Sequence, residues 1–364
     1  MKKVIVAALV ASVAVMSSCS GPQSAGSMTE GNKSKMDSLS YALGANVGYS
    51  MTQQMSDIPF DFTAIAEGIT DAAFDRNEVS SEEALTILQS YFMSTRAERK
   101  KIVEANRAEA DSLAIANGAD EASVKAARAA LKADSDMFES EDQRREVSYA
   151  FGIDLGTNIA SAELPIQTYW LNTAMADVNK GNAKMDESAS MSFLQNYFTV
   201  VRPMERLAAS VANLAKVEKM KGVVKTPSGL LYRIEEAGDT SLMPTDDRDV
   251  VKVFYTGRLL RNDNVFDSNR FADRPEEQQE AILAQNNGEK VEDEPIEFPL
   301  NRVIKGWTEG MKLVGKGGRI SLWIPSDLAY GESGSGRSIE GNEALFFDVE
   351  LVDVTPYTEE EIAE

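Results

Sequence analysis

The sequence has no histidine at all and a single cysteine. Lacking histidine, the chain has no imidazole general base, no Ser-His or Cys-His nucleophile pair, and almost no route to a catalytic zinc site. One cysteine excludes an intrachain disulfide and Cys-x-x-Cys redox chemistry. Basic residues are short too. Lys and Arg number 37 against 58 Asp and Glu, for a net charge of −21. No basic stripe is left to displace counterions from a phosphate backbone, so nucleic acid is not an expected partner. Apolar runs are short: Val4 to Met16 is the conspicuous one, and it is too brief for a comfortable membrane span. What remains is a chain of 364 residues, ample for two or three domains with cores of their own.

The beginning of the chain reads as a targeting segment. Lys2 and Lys3 precede the apolar run, and Ser17-Ser18 lead into Cys19, so residues 1–18 fit a signal peptide. The arrangement resembles a bacterial lipoprotein signal, in which the cysteine is lipidated after cleavage. That resemblance implies a lipid-anchored protein of the cell envelope, facing the periplasm. The alternative is an ordinary secretory signal with an incidental cysteine. Residues 19–35 are rich in Gly, Ser and polar groups and read as a flexible tether.

Next comes a duplication. Ser40-Tyr41-Ala42-Leu43-Gly44 with Gly48 recurs as Ser148-Tyr149-Ala150-Phe151-Gly152 with Gly156. Ile58-Pro59 answers Leu164-Pro165, Leu88 answers Leu194, and Tyr91-Phe92 answers Tyr197-Phe198. Matches in one order with little drift indicate an internal repeat. The first copy spans residues 36–117 and the second, with a linker helix, 146–221. Each reads as two short helices and the start of a long one, with Ser80 and Glu83 placed as a capping box. The Tyr-Ala-Leu-Gly block is read as packing at a close helix crossing. Residues 118–145 form a connector, in which Asp120 to Glu139 has the composition of a solvated helix. Ser81 to Ala116 as a helix would run about 54 Å outward, and the connector would return about 30 Å after a turn at Asn117-Gly118. Val200 to Lys221 is expected to be helical up to Gly222.

Residues 222–356 change character. Val251, Val253 and Tyr255 alternate with polar or outward neighbours, as do Ile320, Leu322 and Ile324, and then Leu345, Phe347, Val349 and Leu351. A period of two argues a half-buried antiparallel sheet. Residues 225–232 are expected to be its opening strand, and 357–364 an acidic tail. The fold class is therefore α+β: a C-terminal twisted antiparallel sheet around a short helix, preceded by an all-α module. Gly315-Lys316-Gly317-Gly318 lacks the residues of a phosphate loop.

This region closely resembles the FKBP family of peptidyl-prolyl isomerases. The resemblance rests on Val253-Phe254-Tyr255-Thr256-Gly257, Val265-Phe266-Asp267-Ser268, Phe298 to Trp307, Ile324-Pro325, Ala329-Tyr330-Gly331 and Leu345 to Leu351, in the family's order. Both helical copies resemble, more weakly, the amino-terminal dimerisation module of the Mip-like two-domain members. The resemblance implies an enzyme that needs no metal or cofactor and takes unfolded or proline-containing polypeptides as substrates. Phe266, Asp267, Ile304 and Tyr330 would act on the substrate, within walls formed by Tyr255, Val303, Trp307, Ile339, Phe347 and Ile296. Read without it, Tyr255 and Phe347 are core residues of a strand, and Asp267 is open to the reading of a turn former beside Ser268 and Asn269. The chain departs from the family in having Ile339-Glu340-Gly341 where Ile-Pro-Pro is usual, and Ile296 where an aromatic residue is usual. The connection from Asn269 to Glu294 is also longer, and Glu276 to Asn286 within it reads as helix.

The rival function is a non-catalytic chaperone or scaffold that holds proline-containing chains. Since every expected pocket residue follows Val223, a fragment starting there is expected to be active. With two module copies in one chain, the expected particle is a monomer containing an internal pseudo-dimer, a homodimer being the alternative.

Overall fold

The computed structural model describes residues 28–129, 135–336 and 338–358. The chain divides into two compact units, residues 1–197 and 198–364. The leader and Cys19 lie outside the described residues, as does the tail from residue 359. Residues 28 to 35, read as tether, are instead pinned. Thr29 donates its N–H to Ile166 O at 2.9 Å and accepts from Thr168 N at 2.9 Å, and the Trp170 indole donates to Asn32 O at 2.8 Å.

In the first unit α1 (Ser38–Gln54), α2 (Phe62–Ala73) and α3 (Ser81–Ser90) start on Asp37, Asp61 and Ser80, each of whose side chains accepts from first-turn N–H groups. Glu83 completes the capping box at Ser80. A π-turn at Tyr91–Thr95 leads into α4 (Arg96–Ala116). The connector is not one returning helix. Its described residues include α5 (Glu121–Ala129) and, further on, a 3-10 turn at Ser135–Met137. Its return is fixed by aromatic packing, the Phe138 ring stacking on Tyr91 at 4.9 Å. The second set follows as α6 (Glu141–Ser161), α7 (Thr168–Asn179) and α8 (Glu187–Asn196), with a π-turn at Tyr197–Val201. The two π-turns fall at the matched Tyr-Phe pairs.

Packing is crossed. α1 lies on α7, and α6 lies on α2. Gly44 and Gly152 make the crossings close: a Cβ would stand 2.1 Å from Leu171 O in the first and 2.2 Å from Ile65 O in the second. Matched polar groups lock both ends. Ser40 Oγ accepts from Gln167 N and Ser148 Oγ from Asp61 N, at 2.7 and 2.9 Å. Tyr41 donates to Asp177 and Tyr149 to Asp71, at 2.8 and 3.0 Å.

At the matched positions Asn46 and Asp154 the second set carries a carboxyl where the first has an amide. Asp154 Oδ2 is buried without a hydrogen-bond partner, and burial pushes this carboxyl up to about 6 despite the Asn158 amide. A folded-state value above the unfolded one favours the native state at acid pH and loses that advantage as pH rises from about 4 through about 6. Asp154→Asn is therefore expected to gain about 1–3 kcal/mol at pH 7 and nothing at pH 4. Urea unfolding at the two pH values measures it; an equal gain at both would show that ionisation is not the cause.

The second unit contains α9 (Arg202–Val217), which runs on without a cap from the π-turn at Tyr197–Val201, and Pro203 follows directly on that turn. It stops at Val217 rather than at Gly222, whose φ of +83° belongs to the turn that follows. The expected opening strand is a hairpin, β1 (Val224–Lys225) and β2 (Leu231–Glu236), because Pro227-Ser228-Gly229 turns the chain, Gly229 at φ +98°. Then come β3 (Val250–Leu259), β4 (Val265–Ser268), α10 (Glu276–Gln285), β5 (Ile296–Pro299), α11 (Lys305–Gly310), β6 (Gly318–Ile324) and β7 (Leu345–Thr355). The order is β1-β2-β6-β7-β3-β4, all pairs antiparallel, with β5 also on β3. β6 is buried on both faces, against the half-buried expectation. Trp323 is covered by Leu231 and Val217, with Leu214 and Phe346 beside them.

β4 and β5 share one edge of β3, and the long connection leaves between them. Asn269 fills the gap: its amide oxygen accepts from Tyr255 N at 2.8 Å, and its NH2 donates to Val253 O and Glu294 O at 3.0 and 2.9 Å. One buried side chain thus satisfies strand groups that lack a backbone partner there.

Candidate active site

The sheet curves around α11, and the concave side holds a cavity of about 540 Å³. β3 contributes Tyr255, β4 Phe266 and Asp267, β5 Phe298, and β7 Phe347; Arg302, Val303, Ile304, Lys305 and Trp307 come from the start of α11, and Ala329 and Tyr330 from the segment after β6. Trp307 is buried, and the rings around it stand edge to face: Tyr255 at 5.3 Å and 89°, Phe347 at 5.3 Å and 88°, Phe298 at 6.0 Å and 80°. Such T-shaped pairs are the favoured aromatic geometry, so the box is rigid without any covalent tie. Two glycines permit it. At Gly257 a Cβ would come within 2.7 Å of both Phe266 and Phe347, and at Gly306 within 2.4 Å of Ile324 Cγ2.

Polar groups stand among these rings. Tyr255 OH donates to Asp267 Oδ2 at 2.5 Å. Burial pushes the Tyr255 phenol well above its ordinary range, and Asp267 adds to the effect, so at neutral pH the phenol keeps its proton and holds the carboxylate. Tyr330, whose side chain is partly open to solvent at 38% exposure, is raised as well, by burial first and by the Asp267 charge second. No acceptor among the described residues faces the Ile304 N–H, at the cap of α11.

Of the residues expected from the sequence, Tyr255, Phe266, Asp267, Val303, Ile304, Trp307, Tyr330 and Phe347 line this cavity. Ile339 and Ile296 do not. Ile339 is buried within the hydrophobic core of the unit. Ile296 sits opposite Val253 near the start of β5 and is 40% exposed. The wall expected to be less aromatic is filled from two residues further along by Phe298, whose ring also stands 6.0 Å from Tyr255. Phe298 shares the face of Ile296 by strand alternation, and that signal was available in the sequence. Arg302, Lys305 and Ala329 follow no apolar period; only the turns around α11 and after β6 bring them to the cavity.

Residues 243–352 match the family model described as FKBP-type peptidyl-prolyl cis-trans isomerase. Residues 36–132 and 144–234 match the one described as the domain amino terminal to FKBP-type peptidyl-prolyl isomerase. The chain belongs to the FKBP-type peptidyl-prolyl cis-trans isomerases. A probable FKBP-type peptidyl-prolyl cis-trans isomerase of Haemophilus influenzae is 39% identical over 190 residues, covering 50% of this chain and 69% of its own. The isomerase FkpA of Aeromonas hydrophila is 34% identical over 251 residues, 64% of this chain and 84% of the relative. The crystal structure of FkpA from Escherichia coli shares 30% identity, covering 60% of this chain and 99% of that one, with a TM-score of 0.38. The cavity is thus the candidate active site of an isomerase, and the substrates of its class are proline-containing polypeptides.

Proposed function

We propose that the isomerase acts on X-Pro bonds of polypeptides in the bacterial envelope by stripping water from the imide and holding it twisted. Unaided rotation faces a barrier of roughly 18–20 kcal/mol, because resonance gives the C–N bond partial double-bond character. Water hydrogen-bonded to the carbonyl stabilises that resonance, and a dry aromatic box removes it. Trp307 is the floor under the proline ring, with Tyr255, Phe266, Phe298 and Phe347 as walls. The Ile304 N–H and the Tyr330 hydroxyl donate to substrate carbonyls. Asp267, fixed by Tyr255, presents its carboxylate to the carbonyl carbon of the twisted bond. The observation that carries this reading is the edge-to-face packing of Tyr255, Phe298 and Phe347 around a buried Trp307, with the single carboxylate Asp267 in the lining held by a phenol.

Asp267→Ala is expected to lower kcat/KM for a proline tetrapeptide about tenfold or more, a loss of at least ~1.4 kcal/mol of transition-state stabilisation. Thermal unfolding should stay close to wild type. Undiminished turnover in this variant would move the function to the rival, a surface that holds proline-containing chains without turning them over.

The same proposal extends to placement and assembly. Cys19 carries lipid and anchors the chain to a membrane surface, a reading supported by the Lys2-Lys3 start, the apolar run Val4 to Met16 and the small Ser17-Ser18 before the cysteine. Cys19→Ser should shift the protein from the membrane to the soluble fraction; an unchanged distribution refutes the anchor. The helical stretches at 36–117 and 146–221 are two copies of the module of Mip-like members and pair within one chain. The crossed packing of α1 on α7 and α6 on α2, with its matched serine and tyrosine bonds, supports that assembly.

A further inference from the structure

Tyr330 opens a loop that rejoins the sheet at Leu345. Gly331, Gly334 and Gly336 in it adopt φ of +61°, +67° and +57°, so the segment has much backbone freedom to lose. Across its stem Asn342 N donates to Gly331 O at 2.9 Å, beside Tyr330. The returning limb is fastened from outside the loop, by α9. Arg202, Arg206 and Ser210 recur every four residues and share one helix face. Arg202 and Arg206 reach the two oxygens of Glu340 at 2.8 and 2.7 Å. Arg206 also pairs with Glu343, whose side chain is 1% exposed, and Arg261 Nε donates to the same carboxylate at 2.7 Å. Ser210 Oγ brackets Glu343, donating to Asn342 O at 2.7 Å and accepting from Ala344 N at 3.1 Å.

We propose that Arg206 is a positioning residue for the isomerisation: acting through Glu343, Asn342 and Gly331, it sets where the Tyr330 hydroxyl stands over the cavity. A carboxylate this deeply buried is held where its arginines are, since leaving them strands an uncompensated charge. The glycine loop therefore has one favoured place, and that place is dictated by a helix that contributes no residue to the cavity lining. The proposal rests on the reading of Tyr330 as a donor to the substrate.

The test is a double-mutant cycle in the full lipid-free chain, with kcat and KM for a proline tetrapeptide measured for Arg206→Lys, Tyr330→Phe and the pair. Lysine keeps the charge but loses the forked geometry. Arg206→Lys is expected to lower kcat/KM about tenfold in the wild-type background and less than about twofold once Tyr330 is Phe, because the two act as one unit. A slow Tyr330→Phe with the same factor for Arg206→Lys in both backgrounds overturns the proposal alone and reduces the ion pair to a fold contact. A wild-type rate for Tyr330→Phe removes the reading of Tyr330 and the proposal with it. Should Arg206→Lys melt below the assay temperature, Ser210→Ala, which loosens the same peptide, takes its place in the cycle with the same expected and overturning outcomes.

Discussion

Cutting the chain at Val223 is expected to cost the isomerase domain several kcal/mol and most of its activity, whereas a cut at Phe198 preserves both. The sequence points the other way, because every residue lining the cavity follows Val223. The structure places α9 inside the same compact unit. Removing it takes Arg206 from a Glu343 side chain that is 1% exposed, leaving Arg261 as its partner. Breaking a buried pair from one side costs about 3–5 kcal/mol. It also uncovers Trp323 and Leu231, against which Val217 packs, at about 1.5–3 kcal/mol for a buried aliphatic side chain. Against a total stability of about 5–15 kcal/mol for an ordinary domain, these losses decide whether the fragment folds. Urea midpoints of the two fragments measure the difference, and isomerase rates follow it. Equal midpoints would show that α9 contributes nothing to the domain.

The two expectations part for a physical reason. Arg202, Arg206 and Ser210 look like the solvated face of a linker helix, and Glu340 and Glu343 look like loop charges. Each is unremarkable alone, and only the fold brings them together across 132 to 138 positions of sequence. By contrast the aromatic box was legible, but only through the family resemblance: strand alternation fixes which face Tyr255 and Phe347 share and reads them as core, and it is the matched motifs that set them beside Trp307. Asn269 was invisible for the opposite reason. A polar residue after Phe266-Asp267-Ser268 reads as a turn former, whereas here it stands in for a missing strand partner. Ile296 and Ile339 show the limit of carrying a family's wall residues across one by one. Phe298, two residues beyond Ile296 on the same face of β5, is the one that stands beside Trp307, and Ile339 packs into the core.

A single lipid-free chain is expected to sediment as a monomer, and Gly152→Val to unfold its helical unit. Both follow from the crossed packing. α1 is covered by α7 and α2 by α6, contacts that are made within one chain. α6 approaches α2 so closely that even a Cβ at Gly152 would stand 2.2 Å from Ile65 O and 3.0 Å from Gly68 Cα. Those neighbours are backbone and cannot rotate away as a flexible side chain can. Ordinary overpacking costs about 1–3 kcal/mol, and valine at this position must exceed that by driving the two helices apart. The separation would also break the bonds from Asp61 N to Ser148 Oγ and from Tyr149 to Asp71, at 2.9 and 3.0 Å. Far-UV circular dichroism through a thermal ramp reads the effect, with loss of the helical transition expected for the variant while the sheet domain still melts. A wild-type melt would mean that the crossing is looser than drawn. For assembly, a stable dimer of the wild-type chain at micromolar concentration would mean that the copies pair between chains, with the second helix of each copy supplied by a neighbour.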